Sequence, residues 1–316
     1  MNIFIDPLLF LQFLRDITGG IFDSFFVRCS IFGEAATVTF IISLIYWCLD
    51  KKLGEYLLVS QGFSILVNGF AKVTACVYRP WIMDSRVHPV KEAIAGATGY
   101  SFPSGHATSA TFLFLGPVLR GKFSKALNIG LICCFILVAF SRNYVGVHSI
   151  LDVIFAFIFT FIVLIIISKL FDKLEEKPNL DIVISCAAIV ISVLIVIYAL
   201  TKSYPMDYDS AGKLIVDPAI LTIDTFRCAG SAVATFIWWP IERRFIKFST
   251  DGSVEEKAAR FIFGYIGLTF IITVIMPLFG KTPLGGFLAS FVMISFVILI
   301  YPAIIKLFQN RKNLTG

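Results

Sequence analysis

Apolar positions in this chain fall into long runs separated by short polar intervals. The runs are of bilayer-spanning length, about 20 residues for a ~30 Å hydrocarbon core. Nine such segments can be placed, at 31–48, 55–78, 104–119, 126–144, 149–170, 182–200, 218–239, 260–279 and 284–307. Each is expected to be helical, because lipid offers backbone groups no partner outside a helix or a closed barrel, and the alternating pattern of barrel strands is absent from the sequence. The stretch IDPLLFLQFLRDI is shorter and carries Arg15 and Asp16. It reads as an amphipathic helix lying in the interface, neither a span nor a cleaved signal, since no basic segment precedes it. The pattern predicts an all-α polytopic bundle in three parts: an interfacial segment 1–30, spans one to five over 31–181, and spans six to nine over 182–316.

Charge orients the bundle. Lys51 and Lys52; Arg120, Lys122 and Lys125; Lys169, Lys173 and Lys177; Arg243, Arg244, Lys247, Lys257 and Arg260; and Lys306, Arg311 and Lys312 all fall on one side of the predicted topology. That side is expected to be cytoplasmic, with the N-terminus outside and the C-terminus inside. Trp47, Trp238 and Trp239 stand at the same boundary, where amphipathic rings settle at headgroup level. Composition excludes a soluble domain: 58% of residues are hydrophobic and 15% charged, and the mean hydropathy is +0.87. The net charge of +6 resides largely in the cytoplasmic loops and suits anionic headgroups. Nothing points to nucleic acid, because no basic stripe with interleaved aromatics lies outside the spans. The seven cysteines lack metal-ligand spacing and read as packing residues.

Against this apolar background a few polar residues stand out at membrane depth. Lys72 and Arg79-Pro80 close the second span, Ser104-Gly105-His106 opens the third, Arg142 closes the fourth, and His148 with Asp152 opens the fifth. The end of an even-numbered span and the start of the next face the same side, so these groups are expected to meet on the outer surface. Lys72 and Arg79 are seven residues apart, two turns of one helix face and about 10 Å along the axis, within reach of a shared anion. Pro80 would then stop that helix. Pro103 and Gly105 fit a tight turn into a helix whose free N–H groups bind anions, with Ser104 as its cap. His148 and Asp152 are four apart and are expected to stack on one helix face, the carboxylate holding the Nδ1 proton and leaving Nε2 free as a nucleophile. His106 would protonate the leaving oxygen and later activate water. This set calls for no metal and no cofactor.

Other polar groups carry plainer readings. Any one of the three cations alone would be a snorkelling interface residue. His88 reads as a solvated loop residue. Arg86 and Lys91 either meet an anionic headgroup or decorate a lid. Asp224 and Arg227, three apart, are expected to neutralise each other, with a contact from Arg227 to substrate as the alternative. Glu34 reads as a polar interhelical contact.

These residues resemble the signature of the type 2 phosphatidic acid phosphatase superfamily, which also includes glucose-6-phosphatases and vanadium haloperoxidases. Lys72 through Pro80 matches Lys-x6-Arg-Pro, Pro103 through His106 matches Pro-Ser-Gly-His, and Ser141 through Asp152 matches Ser-Arg-x5-His-x3-Asp. The resemblance implies that Lys72, Arg79, Ser104, Gly105 and Arg142 hold phosphate, that His106 is the general acid, and that His148 is a nucleophile oriented by Asp152. It implies a metal-independent membrane hydrolase acting on a lipid phosphate monoester or pyrophosphate and inhibited by vanadate or phosphate. Nine spans with a final motif HSILDV look like the sphingosine-1-phosphate phosphatase and glucose-6-phosphatase branches. The alternatives are a lipid-phosphate binding or transport protein on the same fold and a sugar-phosphate phosphatase; a haloperoxidase fits poorly with so apolar a chain. The low-arginine, Ile/Lys/Phe-rich composition suggests a bacterial cell membrane with the site on its outer face. Headgroup, tail and oligomeric state are not specified by these motifs.

Overall fold

In the computed structural model, which describes residues 4–315 and side chains through 311, the named elements are all helical. The side chain of Lys312, grouped above with the cytoplasmic cations, lies outside the described ones. Seven helices are long and apolar enough to cross a membrane: Lys51–Met83, Lys125–Tyr144, Ile150–Leu174, Leu180–Thr201, Pro218–Ile246, Val254–Leu278 and Pro283–Arg311. An eighth is obtained if Asp23–Gly33 and Ala35–Leu49, which meet at 57°, form one broken span. Two of the nine expected segments account for the difference. The first, 31–48, straddles that bend. The third, 104–119, is a helical run of six, five and five residues, Gly105–Ala110, Thr111–Leu115 and Gly116–Arg120, short for a full crossing at 1.5 Å per residue.

The chain forms two compact units, each discontinuous in sequence. The first comprises Met1–Val38, Val67–Leu164 and Thr201–Leu221, and it contains all the motif residues. Small side chains set its spacing: Ala107, Ala139 and Ala156 pack with Val153 and Phe135, so three helix backbones approach closely. A second cluster joins Val90, Ala93 and Ala97 to Tyr144, Val145 and Val147, with Phe26, Val27 and Trp81 around it. The amphipathic helix Asp6–Ile17 exposes Phe10, Phe13, Leu14 and Ile17 and buries Leu8 and Arg15. Its burial of Arg15 has a direct cause, because Arg15 Nη2 donates to the His88 carbonyl at 2.6 Å while Gln12 Oε1 accepts the His88 N–H at 2.7 Å. In the same loop Arg86 clasps Asp84 at 2.7 Å and holds its carboxyl down to about 2.

The second unit comprises Thr39–Leu66, Ile165–Leu200 and Thr222–Gly316. Trp47 and Trp239, placed at headgroup level by the sequence pattern, have rings that face protein. Their indole N–H groups explain why they bury well: Trp47 donates to Val297 O at 2.9 Å and Trp239 to Glu55 Oε2 at 3.2 Å. Cations expected in the loops are engaged, Lys51 with Glu242 and Arg244 with Asp181, each at 2.7 Å. Asp224 and Arg227 pair at 3.1 Å, as their spacing predicts. The cysteines are free; Cys29 and Cys48 are buried as packing residues would be, whereas Cys133, Cys134 and Cys186 lie exposed on helix faces.

Candidate active site

The site is assembled at helix ends. Within the Lys51–Met83 span the helix is interrupted before Pro80: Lys51–Ala75 stops at Cys76, whose φ of +48° takes the chain into the left-handed region. Lys202 caps that end, its Nζ donating to the Val73 carbonyl and, at 2.7 Å, to the Thr74 carbonyl. Lys72 and Arg79 therefore do not share a helix face. Arg79 instead precedes a short helix, Pro80–Met83, with extended backbone, φ −66° and ψ 149°. The turn at Cys76 brings its guanidinium inward, where Nε donates to Gly99 O at 3.2 Å, Nη2 to Thr98 O at 2.8 Å and Nη1 to Val147 O at 3.0 Å. Lys72 reaches the neighbouring turn, donating to Tyr100 O at 2.9 Å and Pro103 O at 3.2 Å.

Ser104 caps the helix that begins at Gly105, its Oγ accepting from Ala107 N at 3.3 Å. A Cβ placed on Gly105 would meet nothing within 4 Å, so this helix start opens on free space. His106 is half-buried and its ring makes no hydrogen bond among the described residues. It lies within electrostatic reach of Arg142, Arg79 and Lys72. Arg142 is buried; Nη1 donates to Ser30 Oγ at 2.7 Å, and Nε has no hydrogen-bond partner.

His148 is reached through a sharp turn. The Lys125–Tyr144 helix ends on Val145, and Gly146 at φ +76° reverses the chain, with Pro89 Cα only 3.1 Å from where a Cβ would stand. Asn143 Nδ2 then anchors the His148 carbonyl at 2.9 Å. Helix Ile150–Leu174 starts two residues beyond His148, so the histidine and Asp152 are not stacked on one helix face as the spacing suggested. Ser149 and Asp152 form a reciprocal cap instead: Ser149 N donates to Asp152 Oδ2 at 2.7 Å and Asp152 N to Ser149 Oγ at 3.2 Å.

His148 and Asp152 still meet, with Nδ1 to Oδ2 at 3.5 Å. That is long for a direct hydrogen bond. Ser101 closes the gap: its Oγ donates to Asp152 Oδ2 at 2.6 Å and lies 3.3 Å from His148 Nδ1. On the other side of the ring, Arg79 Nη1 is 2.9 Å from Nε2. A guanidinium only donates, so Nε2 is the acceptor and the proton of the neutral ring sits on Nδ1, facing Ser101. Nε2 thus carries a lone pair aimed at a cation, in a site where His106 and His148 are also within electrostatic reach of each other.

All eight sequence-derived residues come together in the first unit. Sequence reasoning missed Ser101, Ser30, Asn143 and Asn68, which donates to Thr108 Oγ1 at 2.9 Å. Ser149-x-x-Asp152 ahead of an apolar run was a readable cap signal. Ser30 had none, because it is over a hundred residues from Arg142. No three His, Cys, Asp or Glu side chains cluster as a metal site among the described residues.

A helical integral membrane protein with this constellation belongs to a defined class: residues 54–176 match the PAP2 superfamily, and residues 226–312 match the transmembrane extension of PAP2 superfamily phosphatases, so the chain carries both parts. Among individual proteins it is similar to sphingosine-1-phosphate phosphatase 1 of Rattus norvegicus, 35% identical over 117 residues, which are 35% of this chain and 26% of the relative. The Mus musculus protein of the same name is 34% identical over the same length. An undecaprenyl-diphosphatase of Sulfolobus acidocaldarius is 34% identical over 109 residues, 33% of this chain and 48% of that relative. The chain thus spans between about a quarter and a half of the length of these relatives. No solved structure gives a significant match.

Proposed function

We propose that this protein is a membrane phosphatase that hydrolyses a lipid phosphate monoester or diphosphate through a phosphohistidine, without metal, on the outer face of a bacterial cell membrane. The observation that carries the reading is the His148 ring, with Nδ1 held by Ser101 and Asp152 and Nε2 facing the Arg79 guanidinium. Phosphate is accepted by Arg79, Arg142 and Lys72 together with the N–H groups at the Gly105 helix start. The unpartnered Arg142 Nε and the open space beside Gly105 fit such an anion. Nε2 attacks phosphorus, the bond to the lipid oxygen breaks, and that oxygen leaves with a proton from His106. The phosphoimidazole keeps its Nδ1 proton, and its positive charge is steadied by Asp152 through Ser101. Water then attacks phosphorus, giving a proton to His106, and the N–P bond electrons return to Nε2 as phosphate departs. Segment 1–30 rests at the interface, 31–181 carries the chemistry, and 182–316 completes the bundle.

Support for a lipid substrate comes from the relatives, whose names specify sphingosine-1-phosphate and undecaprenyl diphosphate. A phosphate-release panel in detergent, comparing phosphatidic acid, a sphingoid-base phosphate, a polyprenyl diphosphate and glucose-6-phosphate, tests the reading. Lipid phosphates should be cleaved, orthovanadate should inhibit, and EDTA should leave the rate unchanged. His148→Ala should abolish turnover of every substrate. His106→Ala should lose on the order of 10²–10⁴ in rate with a lipid alkoxide and far less with an aryl phosphate, whose leaving group hardly needs a proton. Equal losses with good and poor leaving groups would contradict the role given to His106, and a strict Mg²⁺ requirement would contradict the metal-free chemistry.

A further inference from the structure

The Asp23–Gly33 segment touches the site at two points, both within the unit that holds the motifs. Ser30 Oγ accepts a hydrogen bond from Arg142 Nη1 at 2.7 Å. Gly33 lies flat against His106, so that a Cβ added there would stand 2.8 Å from His106 Cβ and 3.0 Å from its Cα. The next residue is Glu34, at the 57° break between Asp23–Gly33 and Ala35–Leu49, with extended backbone at φ −77° and ψ 140°. Its main chain is satisfied, the N–H by Ile31 O and the carbonyl by Val38 N, each at 3.0 Å. Its carboxylate is different: it is exposed and makes no hydrogen bond or ion pair among the described residues, yet it acts electrostatically on the Arg142 guanidinium. The sequence reading of Glu34 as an interhelical polar contact does not account for this.

Asp152, a second carboxylate at the site, is buried, its Oδ2 engaged by Ser101 and Ser149 and its Oδ1 without a hydrogen-bond partner but closed off from solvent. Glu34, exposed beside Gly33, is thus a negative group open to a substrate. A phosphate monoester seated against Arg142 brings its alcohol portion to the rim of the cradle. An ammonium on the carbon next to the ester carbon would then find an opposite charge in Glu34, whereas the second phosphate of a diphosphate would find a like one.

We infer that Glu34 is a specificity-determining residue, favouring phosphate monoesters of 1,2-amino alcohols, such as sphingoid bases, over diphosphates. The inference rests on the phosphatase reading above and selects among the lipid classes that reading leaves open. The test uses the full chain in detergent with three substrates: a sphingoid-base 1-phosphate, the same lipid N-acylated so that the nitrogen is neutral, and a polyprenyl diphosphate. Wild type should prefer the free amine over its N-acylated form in kcat/KM. Glu34→Gln should lower that ratio by about fivefold, the scale of an exposed ion pair, and raise the diphosphate relative to the N-acylated lipid. Glu34→Asp should retain most of the amine preference. A wild-type enzyme indifferent to N-acylation overturns the inference without recourse to any variant. So does a Glu34→Gln variant in which all three rates fall by one factor or none changes. Failure of the wild type to release phosphate from any lipid would instead sink the phosphatase reading, and this inference with it.

Discussion

The two nitrogens of His148 face opposite electrostatic surroundings, a cation at Nε2 and a hydroxyl backed by a carboxylate at Nδ1. Ser101 is central to that polarity. With Nδ1 and Asp152 Oδ2 3.5 Å apart, the serine hydroxyl accepts from one and donates to the other, converting a loose pair into two hydrogen bonds. It orients the ring rather than reacting, so Ser101→Ala should reduce kcat by roughly tenfold to a hundredfold, the range of a hydrogen bond to a charged group, with KM nearly constant. Steady-state kinetics on the lipid phosphate that wild type cleaves best would decide it. A rise in KM at unchanged kcat would assign Ser101 to binding instead. Nothing in the spacing SFPSGH marks Ser101 as the one that meets His148; that depends on the turn's backbone contacts, Ser101 N to Val77 O at 2.7 Å and Ser104 N to Asp152 O at 3.0 Å.

Helix ends, more than helix faces, position the chemistry. Reading Lys72 to Arg79 as two continuous turns assumed that Pro80 ends the helix; Cys76 ends it earlier, and the released segment lets Arg79 turn toward His148. Reading His148 and Asp152 as one helix face assumed helix at both, but the Ser149 cap starts the helix between them. At the remaining helix start, Gly33 holds His106 in place by leaving room for it. An alanine at Gly33 must displace His106, since the neighbouring atoms include its Cα, which cannot swing aside. Gly33→Ala should therefore reproduce the signature of His106→Ala in weaker form, losing more rate with a lipid alkoxide than with an aryl phosphate. Uniform loss across both substrates, accompanied by a lower melting temperature, would mark a packing defect unrelated to the proton donor.

Across the whole molecule, loop charge and the parity of spans predict that the 80–100 and 203–215 loops lie outside and 173–180 inside. Cys133, Cys134 and Cys186 are exposed on helix faces, so the experiment needs a cysteine-free background. In that background a membrane-impermeant maleimide should label a cysteine placed in either of the first two loops on intact cells, and one placed at 173–180 only after permeabilisation. Labelling of all three from the same side would remove the basis for an outward-facing site. The run from Gly105 to Arg120 is short for a full crossing, and if it did not cross, the 80–100 and 173–180 loops would lie on one side, so the same labelling reports whether that run crosses.

The solvent and the helical class were legible in the residue pattern, and the eight residues proposed for the site were picked out by type and spacing. Each of these follows from local properties: the length of apolar runs, the cost of charge at membrane depth, and residue types at fixed spacing. Spacing also implied continuous helices through Arg79 and through His148, and there it failed, because a single left-handed residue or cap serine outweighs periodicity within one turn. How the residues are held follows from packing across the chain. Ser30 on Arg142, Arg15 on the His88 carbonyl, Gly33 against His106 and Ser101 between His148 and Asp152 join positions far apart in the chain. A hydrogen bond or a close contact at such separation leaves no periodic trace in the sequence, since it depends on where the packed backbones bring two side chains together.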